Sequence, residues 1–138
     1  MKLLCFKIRE RQSNIWKNID LSDDVCIFYS RGNSTGKTTL MRAILYTLGF
    51  SIPDTELIKF ENYEFFLKLF HQGKQNILTR KNQLLTINST EFDLPTEQAA
   101  AHTLLFGISN PEILSNLLAI IYFDQEKGWT LLNRGTII

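Results

Sequence analysis

A continuous apolar run at residues 25–29 meets a loop of small and polar residues at 30–39, and a nearly all-apolar stretch follows at 40–48. This junction constrains the fold more than anything else in the chain. A short run rich in β-branched and aromatic residues reads as a strand covered on both faces. Leu40, Met41, Ala43, Ile44, Leu45, Tyr46 and Leu48 leave almost no polar side to the helix they would form, so that helix is expected between layers, with Gly49 as a left-handed cap. Strand, polar loop and buried helix open an α/β unit. At 138 residues and 44% hydrophobic content, one such domain buries somewhat over roughly 65% of its unfolded surface. Neither a disulfide nor a metal is needed to hold it.

Before the junction, Leu4, Phe6 and Ile8 alternate with Cys5, Lys7 and Arg9, the period of a half-buried strand. Ile15, Trp16 and Ile19 suggest a second short strand, and Ser22-Asp23-Asp24 a turn. From about 62 to 94, apolar segments at 65–70, 76–79 and 84–87 are separated by Gln72-Gly73-Lys74 and Lys81-Asn82-Gln83, which predicts an antiparallel meander. Two helices are expected within 96–119. Thr96 would cap the first, which ends at Gly107, and Asn110 followed by Pro111 would start the second. Asn88-Ser89-Thr90 fits a glycosylation pattern that is common by chance, and reads better as a turn.

The junction also carries chemistry. Gly36-Lys37-Thr38-Thr39 closes the small-residue loop and opens the helix, the placement a phosphate-binding loop requires. Backbone N–H groups from Ser34 to Thr38 would point at the phosphates, with the positive end of the helix beneath them. Gly36 permits close approach, Lys37 would reach the β- and γ-phosphates, Thr38 would bind Mg²⁺, and Thr39 would support the α-phosphate. One position departs from Gly-x-x-x-x-Gly-Lys-[Ser/Thr]: the first glycine falls on Arg31, with Gly32 one residue late.

Asn33-Ser34-Thr35-Gly36-Lys37-Thr38-Thr39-Leu40 resembles the Asn-Gly-Ser-Gly-Lys-Ser-Thr-Leu form of SMC, RecF and RecN ATPases. The strand at 4–11 and the stretch ending in Gln125 extend the likeness over nearly the whole chain. A looser likeness, through the same loop and the tail Phe123-Asp124-Gln125-Glu126-Lys127-Gly128-Trp129, is to SMC-like ATPases of bacterial anti-phage defence. The resemblance implies an α/β fold, lobe I of an ABC-type ATPase head, in which a mixed β-sheet surrounds the P-loop helix beside an antiparallel β subdomain. Residues 1–138 would form this single lobe, with the P-loop at 31–39 and a Q-loop at about 123–127. Asn33, Ser34, Thr35, Gly36, Lys37, Thr38 and Thr39 would bind ATP; Thr38 and Gln125 would hold Mg²⁺; and Lys37 and Gln125 would serve catalysis. The resemblance further implies a C-terminal half carrying the signature and Walker B elements, a second head that sandwiches ATP, a cytoplasmic setting, and DNA as a candidate partner. The lobe alone should hydrolyse little ATP.

Alternatives stand beside this reading. Asp124 and Glu126 could belong to a Walker B strand, but no Leu-Ser-Gly-Gly-type signature precedes them. A nucleotide-sensing module that binds ATP without turnover uses the same loop. A small kinase or GTPase would need an acceptor-site Asp or an Asn-Lys-x-Asp motif, and neither is evident. Fifteen Lys plus Arg against fourteen Asp plus Glu leave a net charge of +1, so any nucleic-acid contact must be local. Lys68, Lys74, Arg80 and Lys81 are candidates for a DNA-facing patch. Arg9, Arg11 and Lys17 are read as a solvated face, and His71 and His102 as structural. Cys5 and Cys26 are expected as buried, reduced thiols. No segment approaches the roughly 18 apolar residues of a membrane span.

Overall fold

The computed structural model describes residues 1–24, 26, 36–53, 58–110, 112–114 and 116. All of the strand expected at 25–29 except Cys26, most of the loop at 30–39 and the tail with Gln125 lie outside them. Six antiparallel strands form one sheet in the order β2-β1-β3-β4-β5-β6. They are β1 (Lys2–Glu10), β2 (Trp16–Asp20), β3 (Tyr63–His71), β4 (Lys74–Lys81), β5 (Leu84–Ile87) and β6 (Thr90–Asp93). Helix α1 spans Lys37–Thr47 and α2 spans Gln98–Phe106.

Local chemistry explains the meander. Gln72 and Gly73 both take positive φ between β3 and β4, as a tight hairpin of the strands' own twist demands. Asn82 and Asn88 occupy the left-handed region at the next two turns, where asparagine is among the best tolerated residues. Asn88 also stitches the β4–β5 pair: its Oδ1 accepts the Ile77 N–H at 3.0 Å and its own N–H donates to the Ile77 carbonyl at 2.8 Å. Alternation along β3 and β4 then sends Phe65, Leu67, Leu69, Asn76, Leu78 and Arg80 to one face.

That face is the core. Phe6 packs at 6.0 Å on Phe65, whose ring also meets Phe60 and Tyr46 edge-on. Ala43, Ile44, Leu45 and Leu48 of α1 and its C-terminal turn, with Ala101 and Leu105 of α2, cover the sheet on this side. Met41 is the one exposed residue of α1.

Several details refine the sequence-based expectation, and some depart from it. The first two strands and the meander are a single sheet among the described residues, because β1 pairs along β3 from Lys2↔Phe70 to Glu10↔Tyr63. Every strand pair described is antiparallel. A fourth meander strand, β6, buries only Phe92, which is why its sequence carries little strand signal. Thr96 does not cap α2; Glu97 is the N-cap, and its carboxylate accepts the Asp93 N–H at 2.6 Å. Asn110 does start a helical turn at 112–114, its Oδ1 accepting the Glu112 N–H at 2.9 Å. Cys26 is exposed, not buried, and Cys5 is half-buried.

Candidate phosphate-binding site

Gly36 is the N-cap of α1, with φ 94° and ψ 10°. An L-residue with a side chain pays roughly 1–2 kcal/mol in this region, so glycine is the natural occupant. The Gly36 carbonyl accepts the Leu40 N–H at 2.8 Å, the first bond of the helix. Lys37 and Thr38 follow half-buried on the first turn, and Thr39 is buried. No acidic residue occupies that turn, and no side chain among the described residues caps it. The first N–H groups of any α-helix lack partners within it, and the dipole is positive there. Lys37, a cation, therefore adds to a positive end that no carboxylate of the turn offsets, an environment suited to an anion.

The far end of α1 is held by side chains from two elements. Arg80 on β4 is only 4% exposed. Its Nη1 donates to the Tyr46 carbonyl at 2.7 Å, its Nε donates to the Asn82 carbonyl at 2.6 Å, and its guanidinium lies 3.9 Å from the centre of the Tyr46 ring. The Tyr46 hydroxyl in turn donates to the Asn82 carbonyl at 3.0 Å. Burial pushes the Arg80 pKa down, an effect the adjoining Tyr46 partly opposes; guanidinium nonetheless remains charged in proteins.

From α2, Gln98 Nε2 donates to the Gly49 carbonyl at 2.9 Å, and His102 Nε2 sits 3.0 Å from the Leu48 carbonyl. Facing a carbonyl oxygen, Nε2 must carry the hydrogen. Nδ1 is then the lone-pair nitrogen, buried between Phe50 and Phe106 without a hydrogen-bond partner among the described residues. Burial is the main cause of a lowered His102 pKa; the Leu48 carbonyl works against it and the charge of Arg80 adds to it. Gly49 makes this packing possible. A Cβ there would lie 2.9 Å from His102 Nε2 and 3.2 Å from Leu85 Cδ2.

Of the site residues expected from sequence, Gly36, Lys37, Thr38 and Thr39 stand together at the start of α1. Asn33, Ser34, Thr35 and Gln125 lie outside the described residues, as do Arg31, Asp124 and Glu126. The four cations considered for a DNA-facing patch do not form one. Arg80 is in the core, Lys81 pairs with Glu64 at 3.3 Å, and Lys68 and Lys74 are exposed at positions of opposite strand phase. Arg9 pairs with Glu64 at 2.7 Å and lies over Trp16, Arg11 donates to the Glu61 carbonyl at 3.0 Å, and Lys17 is exposed. Among the described residues no group of His, Cys, Asp and Glu could hold a metal ion. No described helix is long and apolar enough to cross a membrane. Sequence reasoning missed the Arg80 clamp, although Arg80 shares the alternation phase of Leu78, a signal for the core side.

No known family model matches the chain. Curated relatives do. Over 143 residues the chain is 26% identical to Lamassu protein LmuB of Bacillus cereus (strain VD014). Over 149 residues it is 27% identical to Lamassu protein LmuB of Bacillus sp. (strain NCIM 5461 / CCTCC AB 2011126 / NIO-1130). Each match covers 94% of this chain and 25% of the relative, so the chain spans about a quarter of the length of the curated relatives it matches.

Proposed function

We propose that this chain is the ATP-binding N-terminal lobe of an SMC/RecF-like ATPase head that works in bacterial anti-phage defence. The observation that carries the reading is the left-handed Gly36 placing Lys37, Thr38 and Thr39 on the acid-free first turn of α1. The similarity to Lamassu LmuB along nearly the whole chain supports the defence assignment.

In this reading the Lys37 ammonium contacts the β- and γ-phosphates, and the backbone N–H groups of the turn receive phosphate oxygens. The Thr38 hydroxyl and the Gln125 side chain hold Mg²⁺, which when bound neutralises phosphate charge; Gln125 also orients the attacking water. A C-terminal half completes the head, and ATP-dependent pairing of two heads makes turnover efficient.

The test is Mg²⁺-dependent ATP binding and phosphate release by the chain, wild type beside Lys37→Ala, alone and then mixed with a C-terminal head half. Losing the Lys37 contact, about 1.5–3 kcal/mol, weakens binding by one to two decades. Turnover is expected only in the mixture. Equal affinity of the two variants would sink the nucleotide-site assignment. Binding without turnover in the mixture selects the nucleotide-sensing module instead.

A further inference from the structure

The face of the sheet turned away from α1 and α2 carries a second feature, which the nucleotide chemistry does not use. Alternation sends Cys5 and Lys7 of β1, Phe66, Lys68 and Phe70 of β3, and Ile77 of β4 to this side. Phe70 is 46% exposed and Ile77 44%. Cys5, Lys7, Phe66, Lys68 and Ile77 line a concavity of about 310 Å³. Trp16, also 46% exposed, extends the apolar strip, its ring centre 6.0 Å from that of Phe66. Contiguous exposed apolar surface of this kind marks a contact site more often than scattered single residues do.

The charges say what the site accepts. Register sets Lys7 opposite Phe66 and Lys68 opposite Cys5, so the two lysines are diagonal neighbours on adjacent strands, about 7–8 Å apart. Both are exposed, and neither has an ion-pair partner among the described residues; the nearby Glu64 is engaged by Arg9 and Lys81. Two like charges held over an apolar floor are relieved by an anionic partner. A second copy docking this patch on itself would set lysine against lysine. Asp20 on β2, opposite Cys5, borders the concavity for any anionic partner. A nucleic-acid strand long enough to cross the sheet would also meet Glu91 and Asp93 on β6, two strands beyond β4, where a short peptide seated on Lys7 and Lys68 does not extend.

We propose that this concavity docks an acidic segment of a partner protein, its carboxylates on Lys7 and Lys68 and its apolar side chains against Phe66, Phe70 and Ile77. The proposal stands apart from the nucleotide site. It is tested on the 138-residue chain by fluorescence anisotropy with a labelled peptide of alternating leucine and glutamate, beside a leucine–lysine peptide and oligothymidylate. The acidic peptide is expected to bind, and to bind about tenfold more weakly to Lys7→Glu/Lys68→Glu. Ile77→Ser should weaken it too, and each of Lys7→Glu and Lys68→Glu alone should weaken it in part, while Lys74→Glu, the same charge change as either single variant at an exposed position of opposite strand phase, should leave it unchanged. Circular dichroism melts check that each variant folds. The proposal is overturned if Lys74→Glu weakens binding equally, if either counter-probe binds as tightly, or if no peptide binds. It is also overturned if the chain self-associates in sedimentation and Ile77→Ser alone abolishes this, which would assign the face to a second copy.

Discussion

Gly36 and Gly49 both take positive φ beside α1, for different reasons. At Gly36 the backbone turns into the helix that carries Lys37, and a side chain there would strain the first turn. At Gly49 the backbone passes under the His102 ring, where an added Cβ meets Nε2 at 2.9 Å. Gly49→Ala therefore combines the left-handed penalty of roughly 1–2 kcal/mol with the loss of the His102–Leu48 hydrogen bond, about 1 kcal/mol. A drop of about 2–3 kcal/mol in urea-unfolding stability is expected. A change below about 0.5 kcal/mol would mean that His102 moves aside freely.

Among the elements, α1 is the one on which the proposed chemistry depends, and its far end is set by β4 and α2. Arg80 joins the last turn of α1 to the β4–β5 turn through two carbonyls and the Tyr46 ring. Arg80→Met keeps much of the packing but strips both carbonyls of their charged donor, so a loss of about 2–3 kcal/mol is expected in denaturant unfolding. Arg80→Lys should recover little, because a single ammonium cannot reach both carbonyls and lie flat on the ring. If lysine restored full stability, the fork geometry would be irrelevant. The ion pairs of Glu64 with Arg9 and Lys81, by contrast, lie on the partly exposed outer face and should matter far less.

For the whole molecule, His102 links stability to pH. Its folded-state pKa lies below its ordinary value, chiefly through burial. The unfolded chain therefore binds the proton more readily, and stability rises with pH across the interval between the two values. The His102 contribution is complete above the ordinary histidine range and is lost as pH falls through it. The melting temperature should be flat above the ordinary histidine range and decline as pH falls below about 6.5, above the range in which carboxylates titrate. His102→Gln, which can still donate to the Leu48 carbonyl, should flatten that decline in a calorimetric series; an unchanged slope would place its origin elsewhere.

The sequence by itself determined the elements whose signals are local. Alternation at 4–9 marked β1, the apolar segment at 65–70 marked β3, Gly73 and the asparagines marked the turns, and the apolar run after Gly36-Lys37-Thr38 marked α1 with Gly49 beyond it. Only the tertiary structure decided what these elements meet. Pairing of β1 with β3 joins residues more than fifty positions apart, and no local pattern encodes such a partner. The same holds for Arg80, whose charge suggested a surface until the carbonyls of Tyr46 and Asn82 satisfied it in the core. Lys7 and Lys68 become neighbours only through the β1–β3 register, so the outer concavity had no signature in the linear chain. Turns and periodicity depend on a few bonded neighbours, whereas burial of charge and shape of surface depend on which distant segments come together.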